Sequence, residues 1–198
     1  MTSRSWRCHA FGFGLRGGVP ELPAAQARAD LARAWLGRFG PATFADLKGW
    51  TGWTVGHTRQ AFKDFGAVEV DLDGVPRLVL PHDEDPVGEQ PPWVALLPAL
   101  DPTPMGWAQR QWYMGEHSPA LFDSNGNAGP TVWCDGRVVG GWTQLPSGAV
   151  AYRLLENVGA QAKSALDKAA HRLENWLGAV RLAARTRRRF MIEKELLG

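Results

Sequence analysis

The first third of the chain carries apolar residues at the three- and four-residue spacing of amphipathic helices. Between Ala24 and Phe39 this spacing predicts a first helix, which Gly40 and Pro41 end. The apolar positions of this helix are Ala27, Leu31, Ala34, Trp35 and Leu36. Thr43 is a suitable N-cap for a short second helix that runs through Trp50.

A third helix is predicted after the turn Thr51–Trp53, with Thr54 as its cap and its end near Phe65. Its core side is expected to hold Val55, Phe62 and Phe65, with Thr58 beside them. The opposite side carries polar residues, which are His57, Gln60 and Asp64 in the centre and Arg59 and Lys63 at the flanks. One side of this helix is therefore expected to face solvent or a partner.

An alternating pattern follows the third helix. Val68, Val70 and Leu72 alternate with acidic residues, and Asp73-Gly74 is the strongest two-residue hairpin signal. Three helices followed by a hairpin predict a winged helix-turn-helix over residues 23–81, after an irregular lead-in over residues 1–22. Residues 82–92 are rich in proline and acidic residues, which predicts a linker.

The second predicted domain, residues 93–198, is β-rich. Thr131–Cys134, Arg137–Gln144 and Ala149–Leu155 predict a three-stranded antiparallel meander, with a turn at Asp135-Gly136. A long amphipathic helix from Ala160 to Leu177 is expected to cover one face of the sheet through Ala162, Leu166, Ala169, Leu173 and Trp176. The predicted fold class is α+β: a winged helix-turn-helix followed by a β-rich module, either an antiparallel sheet or barrel-like, with a packed helix.

Three shorter elements are predicted around this sheet. A short helix is expected near Gln109–Tyr113, a strand over Val180–Ala184 and a last helix over Phe190–Leu197. Their boundaries are less sharply defined by the sequence than those of the long helices.

Composition narrows the function classes. The chain has 198 residues, 44% of them hydrophobic, and a formal net charge of only +2, so any affinity for phosphate depends on where the charges lie. Two cysteines without zinc-type spacing favour a reducing, cytoplasmic location, and neither a signal peptide nor a membrane span is expected. The histidines are far apart in sequence, so neither a metal site nor a cofactor is expected.

Two groups of residues are candidates for contact with double-stranded DNA. On the third helix, His57, Arg59, Gln60 and Lys63 carry donors suited to phosphates or base edges. The densest charge lies in the tail, at Arg185, Arg187, Arg188 and Arg189, where each phosphate contact would add salt-dependent affinity. Competing interpretations are a winged helix that only serves as a scaffold and a tail that is merely solvated.

The most specific string in the chain runs from Asp123 through the Gly-rich Asn125–Pro130 stretch to Trp142. With the run Trp93–Trp107 and the stretch Arg110–Tyr113, it resembles the C-terminal region of winged-helix DNA-binding proteins that include the bacterial alkylpurine and interstrand-crosslink DNA glycosylases. The resemblance covers nearly everything after about Pro23. It adds lower-ranked DNA-facing candidates, which are Arg110, Asn125, Asn127 and Arg137.

The resemblance also implies what this chain lacks. Members of that family are about twice as long, have tandem winged helices, and carry a catalytic signature of glutamine, an aliphatic residue, and glutamine or aspartate in the front half. The front half is expected to be absent here, so no catalytic residue is assigned. Gln109-Arg110-Gln111 has the spacing, but its centre is arginine and it lies in the wrong part of the chain.

Three functional hypotheses remain from the sequence. The first is a DNA-binding chain that resembles the C-terminal half of a repair glycosylase and is not catalytic alone. The second is a glycosylase activity that needs a separate N-terminal half as partner. The third is a winged-helix module that binds protein. The aspartates Asp101, Asp123 and Asp135 stand in turn-like contexts and are expected to serve as structural Asx-type acceptors in all three.

Overall fold

The computed structural model describes residues 21–72, 74–182 and 190–198. The first part of the chain forms three helices, α1 (Ala24–Phe39), α2 (Phe44–Thr51) and α3 (Val55–Asp64). Both predicted caps are confirmed: the Thr43 hydroxyl accepts the Asp46 N–H at 3.2 Å, and the Thr54 hydroxyl accepts the His57 N–H at 3.2 Å.

A two-stranded antiparallel hairpin follows the helices. Strand β1 (Val68–Leu72) pairs with β2 (Val75–Val79), with Leu72 opposite Val75 at the closed end. Asp73 lies outside the described residues. The hairpin is joined to the loop between α1 and α2, because Ala42 and Leu78 exchange backbone hydrogen bonds at 3.0 and 2.7 Å. The order of three helices and a hairpin is the predicted one.

The rest of the chain is built on a four-stranded antiparallel sheet. Its spatial order is β3 (Val94–Leu97), β4 (Thr131–Cys134), β5 (Arg137–Gln144) and β6 (Val150–Leu154). The predicted meander is confirmed, and the apolar run after Trp93 adds the edge strand β3. Within the described residues β3 and β6 do not pair with each other, so the sheet is open and the barrel-like alternative is wrong.

The turn between β4 and β5 follows the sequence signal directly. Asp135 has φ +46° and Gly136 has φ +82°, and the flanking residues Cys134 and Arg137 are opposite each other. Two successive positive φ values match the right-handed twist of the strands, which is why Asp-Gly is favoured in this position.

In the described part of the chain, four further α-helices lie around the sheet, besides a single 3-10 turn at Thr103–Met105. Two are single turns, α4 (Gln111–Met114) and α5 (Ser118–Leu121), while α6 (Gly159–Leu177) is the longest helix and α7 (Met191–Leu197) ends the chain. The predicted strand over Val180–Ala184 is wrong as far as the structure describes it, because residues 180–182 form no strand, and residues 183 and 184 are outside the described part.

Each face of the sheet has its own core. Trp133 and Val138 belong to a cluster that also contains Leu36, Leu47 and Phe62 of the three-helix unit. The opposite face is covered by α6. Its core residues are Val132, Val139, Trp142, Val150, Leu166, Ala170 and Leu177. The helical unit and α6 therefore lie on opposite sides of one sheet.

Several predicted core positions are exposed. Leu31 of α1 is 43% exposed, Val55 of α3 is 44% exposed and Trp176 of α6 is 81% exposed. The α1 core instead uses Ala29, Ala32, Trp35 and Leu36. The buried residues of α6 are Leu166, Ala170 and Leu177. Positions 170 and 177 are buried where the prediction had the preceding positions, 169 and 176. Both helices are apolar over a wide arc, and periodicity alone does not say which part of that arc meets the sheet.

Candidate nucleic-acid interface

The exposed side of α3 carries all four predicted donors of that helix. His57, Arg59, Gln60 and Lys63 are exposed, while Thr58, Ala61 and Phe62 on the other side are buried. The separation of the two sides agrees with the sequence prediction. Arg59 and Lys63 are one turn apart, so their cations lie side by side on the surface.

Arg59 is held in place by an aromatic ring. Its guanidinium carbon lies 5.6 Å from the centroid of Phe44 on α2, within the range of a cation–π contact. It borders a groove of about 540 Å³ between α2, α3 and the hairpin, which Phe62, Glu69 and Arg77 also line. The contact limits the side-chain motion of Arg59 and leaves its N–H donors available at the groove edge.

The remaining α3 donors differ in availability. Gln60 donates its amide N–H to Asp64 Oδ1 at 2.6 Å, so this amide is already engaged and a carboxylate lies on the same side of the helix. Lys63 forms no ion pair within the described part of the chain. Arg59 and Lys63 are therefore the stronger candidates for phosphate contact, and Gln60 is the weaker one.

The Arg110 side chain is engaged by contacts within the chain. Its Nε donates to the Trp107 carbonyl at 3.2 Å, and its guanidinium carbon lies 4.5 Å from the centroid of Phe122. The side chain is half-buried. These contacts join the segment before α4 to the residue that precedes the Asp123 loop.

Asn125 and Asn127 lie in a loop organised by one carboxylate. Asp123 Oδ1 accepts the backbone N–H of both asparagines at 2.9 Å, and Oδ2 accepts the Asn127 amide at 2.9 Å. The Asn127 amide is the main reason that the pKa of the Asp123 carboxyl is below its ordinary value, with the backbone donors of Asn127, Asn125 and Gly126 adding to it. Between the two asparagines, Gly126 has φ +81°, which allows the tight turn of this loop.

Arg137 is already paired. Its guanidinium donates to both oxygens of Glu156 at 2.9 Å, and the His117 Nε2 lies 3.1 Å from Glu156 Oε2. A phosphate would have to compete with this carboxylate for Arg137. The four tail arginines, Arg185, Arg187, Arg188 and Arg189, lie outside the described residues.

Sequence reasoning missed Asp46, which is fully buried on α2. Its Oδ2 accepts the Thr43 N–H at 2.7 Å and the Thr43 hydroxyl at 2.6 Å, while its Oδ1 accepts the backbone N–H of Ala108 at 2.8 Å and of Gln109 at 3.0 Å. Arg77 Nη1 lies 3.7 Å from Asp46 Oδ2 and forms an ion pair with it. The spacing Thr43-x-x-Asp46 is a capping-box signal and indicates the local bonds only.

The Asx-type role is confirmed for Asp101 and Asp123, which accept the N–H two residues ahead, from Thr103 at 2.8 Å and from Asn125 at 2.9 Å. It is wrong for Asp135, which accepts the N–H of Trp93, 42 positions away, at 2.7 Å. In the described part of the chain, no group of three or more His, Cys, Asp or Glu side chains is arranged to hold a metal ion. A search of the same residues finds no helix with the length and hydropathy needed to span a membrane.

Comparison with known proteins gives the family. The model of the family described as DNA glycosylase AlkZ-like matches residues 3–176. The chain belongs to the AlkZ-like DNA glycosylase family. The match begins well before Pro23, where the resemblance in the sequence begins.

A solved structure has a similar fold. This AlkZ-like chain matches the DNA glycosylase AlkZ of Streptomyces sahachiroi with a TM-score of 0.68 and 25% sequence identity. The match covers 85% of this chain and 47% of that chain, so it spans about half the length of the solved relative. A comparison with curated protein sequences gives no match.

Proposed function

We propose that this AlkZ-like chain binds double-stranded DNA through the exposed side of α3 together with the arginine-rich tail, and that it does not release bases by itself. The observation that carries the proposal is the pair Arg59 and Lys63, two exposed cations one turn apart on a helix whose opposite side is buried. Family membership supplies DNA as the partner. His57 at the start of the helix and Gln60 between the cations are secondary contacts.

The arrangement of α1, α2, α3 and the hairpin supports a winged helix-turn-helix. In such units the third helix and the hairpin present the DNA-contacting side chains. Asp64 stands on the same side as Gln60 and repels phosphate, which favours weak, sequence-tolerant binding over base readout. The predicted division at residues 82–92 is kept as part of this proposal, although the core that contains Phe62 continues into the residues after it.

The proposed lack of activity of these residues alone rests on the resemblance, which places the catalytic glutamine signature in the front half of family members and assigns it to no residue of this sequence. The match to the solved glycosylase covers 47% of that chain. Gln109, the first residue of the Gln109-Arg110-Gln111 string that has the spacing of the signature, has a structural role here. Its backbone N–H donates to Asp46, and its side-chain oxygen accepts from Arg77 Nη1 at 3.4 Å.

The binding test compares charge-removing variants at several salt concentrations. Replacing Arg59 and Lys63 by glutamine is expected to weaken duplex binding and to lower the slope of log affinity against log salt by up to about two, because each lost phosphate contact accounts for about 0.9. The matched control replaces Arg33 and Lys163, exposed cations on α1 and α6, and is expected to keep the slope. Duplex binding that does not respond to salt would contradict the proposal and favour the protein-binding module.

The tail is tested in the same assay. Replacing Arg185, Arg187, Arg188 and Arg189 together by alanine is expected to lower the slope more than the α3 variant does, because four clustered charges are removed rather than two. An unchanged slope in this variant, with lost binding in the Arg59 and Lys63 variant, would restrict the DNA surface to α3.

A second candidate function is a two-part glycosylase. The match to about half of the solved relative favours it, because a separate polypeptide that supplies the other half would complete the fold. The test is release of alkylated bases by the chain alone and by the chain mixed with such a polypeptide. Release by the chain alone that is lost in Gln109→Ala or Gln111→Ala would overturn the proposal that this chain is not catalytic.

A further inference from the structure

A groove lies between helix α6 and the edge strand β3, at the end of the sheet where the β4–β5 turn is located. Its volume is about 410 Å³, which is in the size range of small-molecule sites. Val94 of β3 and Cys134 of β4 face α6 here, whereas α3 packs against the core on the other face of the sheet. The groove is therefore separate from the proposed DNA-binding side of α3.

A tryptophan forms one wall of this groove. The Trp93 N–H donates to Asp135 Oδ1 at 2.7 Å, and the Asp135 N–H donates back to the Trp93 carbonyl at 3.1 Å. The backbone of Trp93 is thus fixed at both polar atoms, yet its side chain is 43% exposed. The indole that this backbone carries offers a flat apolar surface on which a planar ring can stack.

The facing wall is a row of polar side chains on α6. Gln161, Lys168 and Arg172 all line the groove, and their spacing of seven and four residues places them on one side of the helix. In the described part of the chain neither cation forms an ion pair. Asp135 is the carboxylate in the described lining, and its Oδ1 is already bonded to the Trp93 N–H, so the lining has a net positive charge.

Small residues keep the groove open. Ala162 and Ala165 of α6 line the groove together with Val94 and Val158. Both are half-buried, and a longer aliphatic side chain at either position would fill the space that their methyl groups leave. The site thus combines an aromatic wall on a hydrogen-bonded backbone, an apolar floor and two cations one turn apart.

From this combination we infer that the groove binds a nucleoside phosphate. The base stacks on Trp93, Gln161 supplies amide hydrogen bonds, and the phosphate pairs with Lys168 and Arg172. The same chemistry is offered by a free mononucleotide and by the phosphorylated end of a single DNA strand. The inference goes beyond duplex binding by α3 and does not require it.

The test is calorimetric titration of the full chain with adenosine 5′-monophosphate, adenosine, inorganic phosphate and a short 5′-phosphorylated single strand. The mononucleotide is expected to bind more tightly than adenosine or phosphate alone. Replacing Lys168 and Arg172 by glutamine is expected to weaken binding at least about tenfold, because two charge-assisted contacts are lost. Lys163→Gln, which removes a charge from the same helix outside the groove, is the matched control.

A second variant tests the groove itself. Ala165→Leu retains good helix propensity but fills the space, so it is expected to abolish binding while the far-ultraviolet circular dichroism stays unchanged. If that variant fails to fold, the Lys168 and Arg172 variant alone tests whether the groove is the binding site. Binding of the strand but not the mononucleotide, lost in the same variants, assigns the ligand to a strand end. The Arg59 and Lys63 variant is expected to bind the mononucleotide normally, which separates this site from the DNA surface of α3.

Three results would overturn the inference. The first is no binding of either the mononucleotide or the strand. The second is inorganic phosphate binding as tightly as the mononucleotide, which would remove the role of Trp93. The third is binding that stays the same when Lys168 and Arg172 are replaced.

Discussion

The fully buried carboxylate of Asp46 accepts the backbone N–H of Ala108 at 2.8 Å, across 62 positions of the chain. The same group accepts both donors of Thr43 at the start of α2. A single side chain therefore caps a helix in the three-helix unit and fixes the segment that leads into α4. The two parts of the chain are joined by this polar contact as well as by their shared apolar core.

Replacing Asp46 by asparagine is expected to lower the free energy of unfolding by about 3 kcal/mol. Both carboxylate oxygens accept hydrogen bonds, Oδ1 from Ala108 and Gln109 and Oδ2 from Thr43. An amide has one oxygen, so one pair of donors would face an NH₂ group in a buried site. Urea unfolding measures the change. Asp30→Asn, an exposed carboxylate on α1, is the control, and equal effects in the two variants would contradict the assignment.

Gly140 in strand β5 is expected to tolerate no side chain. A Cβ at this position would overlap the backbone carbonyl oxygen of Arg153 on the neighbouring strand β6, and backbone cannot rotate away as a side chain can. Gly140→Ala should lower the free energy of unfolding by about 2 kcal/mol or more, as overpacking does in other cores. Gly56 on α3 has open space around it, so Gly56→Ala is the matched control and should be neutral or stabilising by up to about 1 kcal/mol.

Local signals in the sequence predicted much of this fold. The bounds of α1, the caps Thr43 and Thr54 and the turn Asp135-Gly136 all depend on residues within a few positions of one another, and the structure confirms them. Each of these features arises from an interaction with the neighbouring backbone. At a helix start, for example, the first backbone N–H groups have no partner within the helix and need an acceptor nearby.

Long-range partners could not be predicted in this way. Trp176 has the right spacing for the core but lies outside the stripe that meets the sheet, and Arg137 has the composition of a DNA contact but pairs with Glu156 from another strand end. The groove beside Trp93 depends on how α6 crosses β3, which no local pattern specifies. For the candidate DNA surface, the sequence predicted the exposed side of α3 but not the ring of Phe44 that holds Arg59.

The loop at Asp123 is expected to be sensitive to acid. Hydrogen bonds from Asn127 and the neighbouring backbone hold the pKa of the Asp123 carboxyl below its ordinary value. A lowered pKa in the folded state means that the loop is stabilised above the ordinary carboxyl pKa, and that this stabilisation is lost as the pH falls through the folded value. NMR titration of the side-chain carboxyl measures it.

Asn127→Ala should raise the pKa of Asp123 toward the ordinary value, because the side-chain donor that contributes most is removed. Asn125→Ala keeps its backbone N–H and should leave that pKa nearly unchanged. If Asn125→Ala nevertheless weakens duplex binding, Asn125 contacts DNA directly. A pKa that responds equally to the two variants would show that the Asn127 amide does not organise the loop.

The two tyrosines of the chain are expected to resist ionisation until well above pH 10. Burial raises the pKa of Tyr113 far above its ordinary value, with a smaller opposing effect of Arg110, and its hydroxyl donates to the Pro104 carbonyl at 3.0 Å. Burial also raises the pKa of Tyr152 to about 12, and the hydrogen bond that its hydroxyl donates to Asp167 at 2.5 Å adds to the shift.

Ultraviolet absorbance of the phenolate follows this titration directly. An unfolded chain ionises both tyrosines near pH 10, so unfolding becomes more favourable as the pH rises from about 10 toward the folded values. The native chain should show no phenolate step at pH 10, a first step near pH 12 and none from Tyr113 before unfolding. Tyr152→Phe should remove the step near pH 12 and leave only the ionisation of Tyr113 that accompanies unfolding. A step of one tyrosine near pH 10 in the native chain would contradict the burial of Tyr113 or the Tyr152–Asp167 hydrogen bond, and the Tyr152→Phe variant identifies which.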